Sequence, residues 1–226
     1  MTASTLTKVS AISAIVAGVL FMVIQPLHPP DTIGSVTTTA WAAIHYVSLV
    51  MLLLFVVGIS GIYVSQVEKI GWLGLVGFVI LAVGLLLTAI GTVIEAFVQP
   101  LIASTSPTFV QAMLDMVEGQ PTEVDLGAIA LAWNISSLCF LAGTVLFGIA
   151  NFRAGALSRW ASAVFAVGLF GSAPFVALLG MPRLAALPIG LGLAWLGYSL
   201  LTRQRRAAAE PSARGAMAQA SEAPAT

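Results

Sequence analysis

"GWLGLVGFVILAVGLLLTAIGTVIEAFVQP", residues 71–100, is the stretch that decides the fold. Thirty residues pass with one ionisable side chain, Glu95. A helix needs ~20 apolar residues to cross the hydrocarbon of a bilayer. The run has no polar–apolar alternation, so it reads as a membrane-spanning helix and not as a strand. Gly77, Gly84, Thr88, Gly91 and Glu95 are spaced seven, four, three and four residues apart, which is one stripe of that helix. Small residues mark close packing between membrane helices. The stripe, and Glu95 with it, is expected to face the bundle.

The rest of the chain is written in the same way. Its 226 residues are 59% hydrophobic and 8% charged, with a mean hydropathy of +1.02. Soluble domains carry about 25% charged residues, so this chain has too little charge to coat a water-facing surface. The expected fold is all-α, a polytopic membrane bundle of six transmembrane helices over 8–28, 40–65, 70–99, 123–151, 158–179 and 185–202. A zero net charge offers no basic field for nucleic acid. The lone Cys139 lies in an apolar run and reads as a small core residue.

Charge sets the expected orientation. Lys8, Lys69, Arg153, Arg159, Arg203, Arg205, Arg206 and Arg214 all fall on one side of the six spans, and only Arg183 on the other. The positive-inside rule then places both termini in the cytoplasm, in a bacterial inner membrane. Asp31, Asp115, Glu118, Glu123 and Asp125 fall on the outer side. Span one has no small-x-small cleavage site after its apolar core and is expected to be retained. Residues 203–226 are rich in Ala, Pro and polar residues and read as a disordered cytoplasmic tail.

Two outer segments have structure of their own. Ser106-Pro107 opens a short amphipathic helix over about 107–118, with Phe109, Val110, Met113, Leu114 and Val117 on one face and Gly119 as its stop. Its expected role is a linker at the lipid interface, with a lid over a cavity as the alternative. Thr122 and Asp125 read as a capping box for span four.

The tripeptide Gln-Pro-Leu occurs at 25–27 and again at 99–101, each at the outer end of an outward-running helix. With Glu95, this suggests a polar layer. At 1.5 Å per residue, Glu95 and His45 each lie about 6 Å below the outer interface. Gln25, His28, Gln99 and Asn134 end or begin spans at the same level. An ionisable group near hydrocarbon is a functional candidate by default.

Three readings of this layer are open. It is a pocket for a small polar molecule or ion. Or it is a satisfied network, with Glu95 paired to His45 or Arg183, in a non-catalytic structural or stress-related membrane protein. Or it holds haem or quinone in an oxidoreductase, for which two histidines without metal-ligand spacing are a poor signal. No nucleotide loop, dinucleotide fingerprint or nucleophile elbow occurs, so no catalytic residue, metal or cofactor is assigned. The expected partners are the lipid bilayer and a small molecule or ion.

"RAGALSRWASAVFAVG" (153–168) and "LAALPIGLGLAWLGYSLL" (184–201) carry a family resemblance. Arg159-Trp160 opening span five and Leu187-Pro188 near the start of span six resemble a domain-of-unknown-function family of uncharacterised six-helix bacterial membrane proteins. The resemblance implies six spans and brings no activity, cofactor or catalytic residue.

Overall fold

A computed structural model describes residues 2–179 and 182–221. All regular structure among these is helical. In chain order the helices are α1 (Ala3–Leu27), α2 (Ile33–Val36), α3 (Thr39–Val64) and α4 (Val67–Val93). A π turn (Ile94–Val98) leads directly into α5 (Gln99–Ile102). Then come α6 (Pro107–Glu118), α7 (Ala128–Ala154), α8 (Arg159–Leu179), a 3-10 turn (Pro182–Ala186) and α9 (Leu187–Ser221). Among the described residues, four helical stretches are long and apolar enough to cross a membrane: Ser4–Leu27, Thr39–Val64, Val67–Ile102 and Ala128–Ala154.

These helices and α8 and α9 pack as a closed ring, in the order α1, α3, α4, α7, α8, α9 and back to α1. Short connections make sequence neighbours antiparallel neighbours in space. Both ends of the described chain therefore lie at one end of the ring, where Gln204 hydrogen-bonds Ser4. The other end carries α2, α6 and the 3-10 turn.

The tightest seam is α4 on α7. A Cβ at Gly84 would lie 2.5 Å from Phe140 N, and one at Gly77 2.5 Å from Phe147 N. Only glycine admits backbones this close. Thr88 continues the stripe with a 2.8 Å hydrogen bond to Ser136, and Gly91 lies against the Trp133 ring. On the opposite face of α4, Val76, Val79, Val83, Leu86, Ile90 and Val93 are exposed at helical spacing. An apolar exterior of this kind suits lipid and not water.

Three boundaries and the setting of α6 differ from the sequence reading. α4 is broken at Gly71 (φ 63°), so its straight part starts at Trp72. α7 begins at Ala128 and not at 123. Asp125 accepts the Gly127 N–H (2.8 Å) and Thr122 the Val124 N–H (3.2 Å). These are local turns that compete with a capping box for the same side chains. α6 rests on protein and not on the interface alone, for Val110 and Leu114 pack with Val36 and Trp41. Finally, α9 continues through Ser221 where composition suggested disorder. Alanines 207–209 favour helix and extend one already begun. Residues 222–226 of that tail lie outside the described residues.

Candidate functional site

Pro26 and the His28-Pro29-Pro30 exit end α1 at the α6 end of the ring. The chain turns, and the His28 ring folds back, its Nδ1–H donating to Pro29 O at 2.7 Å. Asp31, buried, forms an ion pair with Arg183 from the 3-10 turn and lies 3.9 Å from His28 Nδ1. Burial, and then the Arg183 charge, push the His28 pKa below its usual 6.5, against the pull of the Pro29 hydrogen bond and Asp31.

Thr38 caps α3 by accepting the Trp41 N–H at 3.2 Å. This places Trp41, fully buried, in the first turn and His45 one turn deeper. His45 Nδ1 lies 2.7 Å from Trp41 O. A carbonyl only accepts, so Nδ1 carries the hydrogen and Nε2 faces outward from that bond. Nε2 meets Glu95 Oε2 at 3.5 Å, an ion-pair distance. The His28 and His45 rings lie edge to face at 5.1 Å.

Glu95 lies inside the π turn. In an α-helix its carbonyl would accept from Gln99 N–H, but that N–H goes to Ile94 O. In the π pattern the next donor would be residue 100, which is proline and has none. The carbonyl is left free, and the Trp41 indole N–H takes it at 2.9 Å. Sequence periodicity assumes an α-helix throughout and did not show this turn. Pro100 was the available signal.

Two cavities meet at Glu95. The first, about 470 Å³, is lined at its polar end by Gln25, His28, Asp31, His45, Glu95 and Arg183. Ser48, Thr88, Thr92 and Ser137 add hydroxyls, and Phe21, Met51, Leu52 and Phe140 form the apolar part. Phe21 and Phe140 pack with Phe55 at ring-centroid distances of 6.2 Å, and Phe55 reaches Phe165 at 6.3 Å. The second cavity, about 250 Å³, lies beneath α6 between α4 and α7 and is lined by Gln99 and mostly apolar side chains. Glu95, Val117 and Trp133 line both.

Of the six candidates, Gln25, His28, His45 and Glu95 thus come together around one cavity. Gln99 lines the other. Asn134 is exposed and lines neither. Its level on α7 was considered, but not its face: Trp133 and Ser136 take the inner positions. Arg183 pairs with Asp31 and not with Glu95. Asp31, which lines the first cavity, and Trp41, which holds the Glu95 carbonyl, are members of the candidate site that the sequence reading missed. No group of three His, Cys, Asp or Glu side chains is placed to hold a metal among the described residues.

No family model, curated protein or solved structure matches the chain.

Proposed function

We propose that this chain is a six-span protein of the bacterial inner membrane, with cytoplasmic termini, that binds a small polar molecule or cation in the larger cavity near the outer face. The observation that carries the reading is the meeting of Gln25, His28, His45 and Glu95, from three different helices, around one 470 Å³ space. Helices α8 and α9 supply the fifth and sixth spans, and the distribution of Lys and Arg supports the orientation.

The chemistry follows from the charges. Asp31 and Arg183 neutralise each other. His45 holds its Nδ1–H on a carbonyl, so any second proton sits on Nε2, facing Glu95. Glu95 Oε2 lies 3.5 Å from that nitrogen and is the carboxylate a cation entering the cavity would meet. The phenylalanine cluster lies across the inner end of the space, which favours binding over open passage.

The test is thermal stability of wild type and Glu95→Gln, in lipid nanodiscs from pH 5 to 8, with inorganic and small organic cations and neutral polar solutes. A compound that stabilises wild type and not Glu95→Gln supports the binding site. The satisfied His45–Glu95 and Asp31–Arg183 pairs favour a second reading, a purely structural network. On that reading Glu95→Gln lowers stability equally in every condition.

A further inference from the structure

We propose that the smaller cavity is a separate site for an amphipathic molecule drawn from the membrane, with an apolar body and a neutral head that donates one hydrogen bond and accepts one. Three observations carry this. The first is Gln99. It is fully buried, it lines the cavity, and neither its Nε2 nor its Oε1 has a hydrogen-bond partner among the described residues. A side-chain amide in this setting asks for a donor and an acceptor together. The π turn contributes, because the extra residue in its ring rotates Gln99 away from the larger cavity that Glu95 still reaches.

The second observation is the lining. Leu87, Ile90, Ile129 and Trp133 form apolar walls, and Met113 and Met116 come down from α6. Flexible thioethers adapt to apolar bodies of varied shape. The third is the mouth. Ile90, Ala128 and Ala132 line the cavity and are exposed on the outer surface of the ring, Ile90 to 59%. That surface continues the apolar stripe of α4, so the opening faces where lipid lies on the membrane reading above. Glu95 on the wall selects against an anionic head. A carboxamide or an un-ionised carboxylic acid meets all three conditions. The proposal rests on Gln99 and shares with the His45 network only Glu95, which lines both cavities, and it stands whether or not the larger cavity binds a cation.

The probes are octanamide, which donates and accepts, and N,N-dimethyloctanamide, which only accepts. Each is added to wild type, Gln99→Leu and Ala132→Phe in phosphatidylcholine nanodiscs, and Tm is read. Octanamide is expected to raise the wild-type Tm by roughly 2–4 °C. The dimethyl compound gives no such rise, and both variants abolish it, one by removing the amide and the other by filling the mouth from an exposed position. An equal rise in wild type and variants, an equal rise with both amides, or no rise in wild type overturns the site. If Gln99→Leu does not fold, Ala132→Phe alone decides. The cation titration of the larger cavity, run on the same samples, reads that site independently.

Discussion

The Glu95 carbonyl and the Trp41 indole are joined because the π turn leaves one of them nothing else to bond. Trp41→Phe keeps most of the buried ring and removes the donor. It leaves a buried carbonyl without a partner, which costs about 1–3 kcal/mol, and the loss is read as a lower Tm in wild-type lipid conditions. His28 makes a prediction with a sign. Its folded pKa lies below 6.5, the value of the free side chain. Above pH 6.5 both folded and unfolded forms are neutral, and its contribution is complete. As pH falls below 6.5, the unfolded chain takes the proton first, so stability is lost until the folded pKa is also passed. The groups facing His28 that shape this are Arg183, Asp31 and His45. Stability measured from pH 7.5 to 5 should therefore fall, and fall less in His28→Gln. A flat profile in wild type would contradict the buried, Arg183-facing placement of the ring.

At the scale of elements, the α4–α7 seam positions everything else, since it points Glu95 inward and opens the cavity beneath α6. Its glycines are testable against one that touches nothing. A Cβ at Gly143 would strike the backbone of Leu81, whereas one at Gly34 meets no atom within 4 Å. Gly143→Ala should destabilise by about 1–3 kcal/mol, and Gly34→Ala should change stability by less than about 0.5 kcal/mol. Equal effects would mean the two helices do not approach this closely. The α4 side of the seam was legible in advance, because a membrane helix announces itself by length and its packing face by small residues, but its partner α7 was not. α6 was legible from its 3.6-residue period. What stayed hidden depends on contacts far apart in the chain. Gln66 hydrogen-bonds Asn151 across 85 residues, at the end of the ring opposite the site. Neither residue carries a local pattern, and each alone reads as an ordinary polar turn or helix residue. Asn134 failed for a related reason, since depth follows from counting residues but the inward face does not follow from depth. The π turn was hidden because periodicity arguments presuppose the geometry it breaks.

The whole molecule is a ring with two unlike ends, and the proposed orientation makes that difference measurable. One end gathers both ends of the described chain, and the sequence assigns nearly all the cationic residues to that side. The other gathers the cavities, α6 and a single arginine already paired with Asp31. Cys139 is the chain's one cysteine and can be replaced by alanine to give a thiol-free background. In that background, Thr108→Cys places one exposed thiol on α6, and Val67→Cys places one at the opposite end, where Val67 is 51% exposed. A membrane-impermeant maleimide applied to intact spheroplasts should label Thr108→Cys and leave Val67→Cys unlabelled until the cells are lysed. The reverse pattern would put the cavities on the cytoplasmic side and the termini outside. The ligand would then be sought among cytoplasmic solutes, although the His45–Glu95 chemistry would be unchanged. Labelling of both thiols in intact cells would mean that α4 does not carry the chain across the membrane between Val67 and Thr108, and would count against the closed ring as a membrane-spanning unit.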